Sequence, residues 1–144
     1  MTRLLNPLIR AVLLTAFCAI LISPLLSGTM FETADGTLHL YRLVALRHAL
    51  SEGDLWVRYV PGMVYGYGAP MFNYYSPLSL YPMLGLNLLG FTPTHAWLVG
   101  MAGYLVLAAG GMFALARRWL SPAGALIAAA AYAAAPYTLS LIHI

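Results

Sequence analysis

Three long runs of mostly apolar residues constrain this chain more than any other feature. They cover about residues 9–27, 96–116 and 123–141. An α-helix needs about 20 apolar residues to cross the hydrocarbon core of a bilayer, and each run has about that length. Backbone groups inside a membrane must be hydrogen-bonded internally, so such runs form helices. The sequence therefore predicts an all-α fold of integral membrane helices.

Composition supports lipid as the solvent of this chain. Only 8% of the residues are charged and 62% are hydrophobic, with a mean hydropathy of +0.81, whereas soluble domains carry about 25% charged residues. The seven basic residues are all arginines, four of them at the ends of the apolar runs, and they form no basic stripe, so we expect no nucleic-acid partner. The single cysteine, Cys18, permits neither an internal disulfide nor a cysteine-based zinc site.

The arginines also predict the orientation of the chain. Arg3 lies before the first run and Arg10 lies at its start. Arg117 and Arg118 follow the second run. Cytoplasmic ends of membrane helices are enriched in arginine and lysine. We therefore expect a cytoplasmic N-terminus and a long external loop over residues 28–95. We interpret the first run as an uncleaved anchor because its core is long and no clean cleavage site follows, as a secretory signal would need.

A fourth apolar stretch, residues 76–91, is shorter and contains two prolines and two glycines. Its length favours an interfacial or re-entrant segment over a span. If it did span, Arg117 and Arg118 would lie outside, against the orientation above. The chain ends in "LSLIHI", residues 139–144, which resembles translated sequencing adapter. Because three spans enclose little, we expect residues 1–144 to be the N-terminal fragment of a much longer protein.

All four carboxylates lie within residues 32–54 of the predicted external loop. The pattern after Thr37 predicts an amphipathic helix along the membrane surface that ends at Gly53. At 100° per residue, Asp35, His39 and Arg42 share one edge of that helix. The helix start stabilises a negative charge on Asp35, which suits a metal ligand or a base. A simple helix-capping role for Asp35 is the alternative.

The segment from residue 56 to residue 82 is rich in tyrosine, glycine and proline, and two interpretations stay open. It is either an aromatic belt at the membrane interface or the floor of a binding cleft. In a cleft, tyrosines stack on sugar rings and Arg58 binds a phosphate. The residues predicted to line the pocket are Tyr65, Tyr67, Asn73 and Tyr74.

Common catalytic motifs are missing from the sequence. It contains no G-x-S-x-G elbow, no H-E-x-x-H pair and no glycine-rich phosphate loop after a strand. These absences argue against a serine hydrolase of the α/β type, a zinc protease and a nucleotide-binding fold.

Two motifs nevertheless resemble a known family. "DGTLHLYR", which begins at Asp35, and "GYGAPMFNYYSPL", which begins at Gly66, are similar to bacterial polytopic membrane proteins of the 6-pyruvoyl-tetrahydropterin synthase-related domain family. These proteins resemble C-type glycosyltransferases, and the resemblance covers about residues 9–138. It implies a bacterial inner-membrane protein that transfers sugar from a polyprenyl phosphate donor on the external face. It implies no pterin chemistry.

The resemblance also assigns roles to residues of the external loop. It implies that Asp35 is catalytic and that Asp35 and Glu32 hold a divalent metal, Mg²⁺ or Mn²⁺. As a hypothesis from the residues themselves, Arg58 binds the donor phosphate. His39 and Arg42 either orient Asp35 or contact that phosphate. The sequence departs from the pattern because it has no D-x-D pair and no second acidic external loop. We therefore expect the fragment alone to be inactive.

Two non-catalytic functions are the alternatives. A transporter subunit needs ionisable residues inside its spans, and none lies between Arg10 and Gly28 or within residues 96–116. A structural membrane protein would use the aromatic segment only as an anchor.

Overall fold

The computed structural model describes residues 6–24 and 35–136, and within these ranges the fold is all-helical and contains no β-strand. The predicted all-α class is thus confirmed. The helices are α1 (Pro7–Ile22), α2 (Gly36–Ser51), α3 (Met71–Tyr74), α4 (Leu80–Leu88), α5 (Pro93–Ala116) and α6 (Pro122–Ala133). Single 3₁₀ turns occupy Val64–Gly66 and Pro77–Ser79.

The described residues belong to two compact units. The terminal unit comprises the described parts of Met1–Thr29 and Met101–Ile144, and the central unit comprises the described part of Met30–Gly100. The central unit contains α2, α3, α4 and the first turns of α5. It therefore holds most of the loop that the sequence predicts to be external.

Helix α5 is long and apolar enough to cross a membrane. Its 24 residues correspond to about 36 Å at 1.5 Å per residue. Helices α1 and α6 are apolar but shorter, and the predicted spans 9–27 and 123–141 both extend beyond the described residues. Helix α4 has nine residues, about 14 Å, which is shorter than the roughly 20 residues of a membrane-spanning helix.

Side-chain caps fix the beginnings of two apolar helices in the terminal unit. The Asn6 side chain accepts a hydrogen bond of 3.2 Å from the backbone N–H two residues further on, at the start of α1. Ser121 accepts a 3.2 Å bond from the backbone N–H three residues further on, before Pro122 opens α6. Both pairs combine a side-chain cap with proline in the first turn, where its missing N–H costs nothing.

Helices α1 and α6 contact each other, and small side chains are buried on both helices. Ala125, Ala129 and Ala133 recur every four residues on one face of α6 and are fully buried, and Cys18 of α1 is also buried. Alanine lets helix backbones approach closely. In lipid, where no hydrophobic effect drives helices together, the van der Waals contacts of such close packing favour helix association. The alanine-rich sequence of α6 therefore serves helix packing.

The core of the central unit forms where α2 contacts α4. Leu43 and Leu46 of α2 and Met83 and Leu84 of α4 are buried there. Their burial removes apolar surface from water, at about 1.5–3 kcal/mol for each large side chain.

A buried amide joins three segments of this unit. Asn87 of α4 accepts a 2.7 Å hydrogen bond from Nη1 of Arg47 in α2. Its own amide nitrogen donates a 2.8 Å bond to the carbonyl of Phe91, just before α5. The oxygen and the nitrogen of the buried amide are thus both bonded, as burial requires.

Two glycines of α5 offer a matched test of the packing in this region. A Cβ at Gly100 would collide with the Met83 side chain, whereas a Cβ at Gly103 would meet nothing. We expect Gly100→Ala to lower the thermal stability of the detergent-solubilised protein by about 1–3 kcal/mol, the cost of overpacking. Gly103→Ala should leave it unchanged or raise it by up to about 1 kcal/mol through helix propensity. Equal effects of the two variants would contradict close α4–α5 packing.

Candidate functional site

A cleft of about 610 Å³ opens in the central unit between the segment that follows α2 and the segment around α3. This volume is typical of small-molecule sites, which measure about 300–1,000 Å³. The lining residues are Leu55, Trp56, Val57, Arg58, Phe72, Asn73, Tyr74, Ser76, Pro77, Leu78 and Tyr81.

Short-range hydrogen bonds hold the two walls of this cleft. The Asp54 carboxylate accepts a 3.1 Å bond from the backbone N–H of Trp56 and so shapes the turn after α2. The backbone N–H of Phe72 donates a 3.1 Å bond to the carbonyl of Arg58, which ties one wall to the other. Prolines and glycines in this region prevent longer helices, so the walls are loops and single turns.

Arg58 is the only charged residue among those that line the cleft. Its guanidinium carbon lies 5.6 Å from the centre of the Trp56 ring, in cation–π range. The remaining walls combine aromatic rings with the amide of Asn73 and the hydroxyl of Ser76. One cation, exposed ring faces and a few neutral polar groups suit an anionic ligand that also has a ring or an apolar part.

The structure brings some predicted pocket residues together and separates others. Arg58, Asn73 and Tyr74 line the cleft, as predicted. Tyr65 and Tyr67 are not among its lining residues and lie on a neighbouring loop, where both side chains are exposed. The segment from residue 56 to residue 82 is thus divided between the walls of the cleft and an exposed loop.

The edge formed by Asp35, His39 and Arg42 differs from the prediction in one respect. Helix α2 begins and ends close to the predicted positions, but Arg42 is 6% exposed and His39 is only half-exposed. Arg42 therefore does not lie on an exposed polar edge of α2 together with Asp35, as the sequence predicts. Asp35 is exposed at the N-cap position, and its side chain makes no capping hydrogen bond.

Arg42 is buried against an aromatic ring. Its guanidinium carbon lies 3.9 Å from the centre of the Tyr75 ring. Among the described residues no carboxylate forms an ion pair with it, and its Nε has no hydrogen-bond partner. A buried charge is costly unless it is compensated, and here the π face of Tyr75 is the main compensation.

His39 has a defined tautomer because of Arg42. Its Nδ1 lies 3.3 Å from Nη1 of Arg42. Arginine can only donate, so Nδ1 must accept and the ring proton is on Nε2. The ring stacks on Trp97 with 5.9 Å between centroids and 25° between planes. Burial, reinforced by the charge of Arg42 and opposed by that of Asp35, lowers the pKa of His39 below its ordinary value.

The predicted metal site is only partly within the described residues. Asp35 is described, whereas Glu32 lies outside the described residues. Within residues 6–24 and 35–136, no three histidine, cysteine or acidic side chains come together in a way that could hold a metal ion. Asp35 alone does not provide the oxygen-rich shell that Mg²⁺ or Mn²⁺ needs.

A second, mainly apolar groove of about 440 Å³ lies along the opposite side of α2. Tyr41 and Tyr59 contribute to its lining, and His48 and Glu52 lie at its edge, 3.4 Å apart. Both side chains are largely exposed, so the contact between them contributes little to stability.

Three aromatic residues of the site have no assigned role in the sequence pattern. Trp56 lines the cleft, Tyr75 covers Arg42, and Trp97 stacks on His39. Trp56 lies two residues before Arg58 in the sequence, and this spacing could have indicated that both side chains line the same ligand-binding cleft. No local pattern pairs Tyr75 or Trp97 with α2, because these contacts join distant parts of the chain.

Comparisons with known proteins return nothing: no family model, curated protein or solved structure matches the chain.

The lowered pKa of His39 predicts how stability depends on pH. The unfolded chain takes up a proton on this imidazole near its ordinary pKa of about 6.5, whereas the folded protein resists it. Stability should therefore fall with acidification below about pH 6.5, by at most about 1.4 kcal/mol per pH unit for one proton.

His39→Gln should remove this dependence, and His48→Gln, at an exposed position of the same helix, should retain it. Unfolding midpoints in detergent between about pH 7.5 and about pH 5 would show the difference, in a range above most carboxylate titrations. A wild-type profile that is flat over this range would contradict the lowered pKa of His39.

Proposed function

We propose that this chain is part of a membrane glycosyltransferase that takes its sugar from a polyprenyl phosphate donor at the external face of the bacterial inner membrane. The single observation that carries the proposal is the cleft with Arg58 as its only charge among aromatic and amide groups. A lipid-linked sugar phosphate offers an anion, a ring and an apolar tail. Each of these matches one component of the cleft.

Arg58 would bind the phosphate of the donor. A guanidinium matches the planar arrangement of phosphate oxygens and forms charge-assisted hydrogen bonds with them. During transfer, the bond between the anomeric carbon and the phosphate oxygen breaks, and the oxygen keeps the electron pair. Arg58 would stabilise the negative charge that then collects on the leaving phosphate.

Trp56 and Tyr74 would bind the sugar ring. Their side chains are 74% and 80% exposed, so their faces are open to a ligand, and both line the cleft. Stacking on a ring contributes apolar contact without competing for its hydroxyl groups. Asn73 and Ser76 would hydrogen-bond those hydroxyls.

Asp35 would act as the general base. The acceptor hydroxyl loses its proton as it attacks the anomeric carbon, and an exposed carboxylate at a helix start can receive that proton. His39 would contribute as a donor through Nε2–H, because Arg42 occupies its Nδ1. Its neutral ring can bond an oxygen of the donor or hold the carboxylate in place.

A Mg²⁺ or Mn²⁺ ion held by Asp35 and Glu32 belongs to the same proposal. Such an ion would offset phosphate charge, but we derive no step from it because the described residues include only one of its two ligands.

A variant of Asp35 tests the catalytic part of the proposal. In membranes that contain the complete protein, Asp35→Asn should lower glycosyl transfer about 10²–10⁴-fold, the usual contribution of a general base. Glu52→Gln is the matched control because Glu52 is an exposed carboxylate at the other end of α2 and does not line the cleft, and it should retain activity. Normal transfer by Asp35→Asn at normal expression would remove Asp35 from the mechanism.

A variant of Arg58 tests donor binding separately from catalysis. Binding of a polyprenyl phosphate should change the fluorescence of Trp56, and the corresponding polyprenol should bind about tenfold more weakly or worse. Arg58→Gln should abolish this preference for phosphate. Arg118→Gln, an exposed arginine of the terminal unit, should retain it.

The two tests together separate transferase from non-catalytic functions. Phosphate-selective binding without any transfer in the complete protein would favour a lipid-binding or transporter subunit. Equal binding of alcohol and phosphate would overturn the role of the cleft.

A further inference from the structure

A strained loop of aromatic residues next to the cleft has no role in the proposed reaction. Residues 60 and 69 close it: the backbone N–H of Val60 donates to the carbonyl of Ala69 at 2.8 Å, and the reverse bond measures 3.1 Å. The Tyr59 hydroxyl adds a 2.6 Å bond to the carbonyl of Tyr67. We call residues 61–68 the tyrosine loop.

The backbone of the tyrosine loop is held in an unfavourable conformation. Val64 and Tyr65 have φ values of 50° and 55°, and Gly66 and Gly68 follow with 91° and 79°. A β-branched residue at positive φ is an outlier, and such a position costs of the order of 1–3 kcal/mol. Backbone bonds to the carbonyl of Met63 from both glycines help to maintain it.

The strain has a visible result at the tip of the loop. The side chains of Val64, Tyr65 and Tyr67 are 57%, 101% and 84% exposed. Large apolar side chains gathered in one exposed place mark an interaction surface. Tyrosine in particular combines an apolar ring with a polar hydroxyl, which suits a boundary between a dry and a wet medium.

The sequence around the loop indicates which boundary this is. No aspartate, glutamate, lysine or arginine occurs between Arg58 and Arg117. This uncharged stretch contains the tyrosine loop and continues into α5, the helix that is long and apolar enough to cross a membrane. A protein partner in water would be expected to contact some charged groups at its rim, whereas a lipid interface favours their absence together with exposed tyrosine.

We infer that the tyrosine loop inserts into the lipid bilayer at the boundary between headgroups and acyl chains. Val64 and the rings of Tyr65 and Tyr67 would enter the upper part of the hydrocarbon, and the tyrosine hydroxyls would remain at the headgroup level. The loop is thus a second attachment of the central unit to the membrane, besides the apolar helix. This inference does not depend on the proposed transferase activity.

A spin label at the loop tip tests the insertion directly. The only cysteine is replaced through Cys18→Ala, and a nitroxide is attached through Tyr65→Cys in the full chain reconstituted into lipid nanodiscs. Collisions with water-soluble nickel chelate should be about tenfold fewer than for the same label introduced through Asp54→Cys, while collisions with lipid-soluble oxygen should be more frequent. Tyr67→Cys provides a second label position on the same loop, should the first variant not fold.

Each outcome of this experiment decides the inference. A label that meets oxygen and avoids nickel chelate supports insertion. A label as open to nickel chelate as the one at Asp54 places the loop in water, and a label shielded from both reagents places it against protein; either result overturns the inference. The measurement involves neither donor nor sugar transfer, so its failure is independent of the failure of the proposed function.

Discussion

The burial of one arginine organises the central unit. A guanidinium inside a protein needs compensation for its lost water, and Arg42 receives it from the face of Tyr75 and from Nδ1 of His39. His39 in turn stacks on Trp97. The four side chains form a continuous set of contacts that joins α2 to the segment after α3 and to the first turns of α5. Tyr74, adjacent to Tyr75, lines the cleft, so this set also positions one wall of the candidate site.

Much of the helical framework is predictable because it follows from local patterns. Apolar length predicts the helix α5, and the stop near Gly53 agrees with the end of α2, where that glycine has a φ of 94°. The inward orientation of Arg42 is not predictable in the same way. An arginine beside an aspartate and a histidine is typical of a solvated helix edge. Its burial is compensated only by the ring of Tyr75, which is far away in the sequence.

The aromatic segment shows a similar limit. Its glycines and prolines predict irregular structure, which is present, but they do not indicate which tyrosine faces which way. The backbone pair between Val60 and Ala69 closes the loop between the two parts of the chain that line the cleft, and no local pattern in the sequence marks these two residues as partners. As a result, one short motif supplies Tyr67 to the loop and Asn73 and Tyr74 to the cleft. The sequence predicts a role in ligand binding for the whole motif, and only the structure shows which of its residues line the cleft.

The left-handed valine at the tip of the loop has a consequence for the balance between stability and surface chemistry. Glycine at position 64 would adopt the same backbone conformation without steric cost, and it would also remove the isopropyl group that faces outward. The chain instead has valine, the less stable residue in this backbone conformation, although its exposed side chain does not pack in the hydrophobic core of the described residues. Protein engineering that selects only for thermal stability would therefore tend to replace this residue. The replacement would weaken the contact that the loop makes through its exposed side chain.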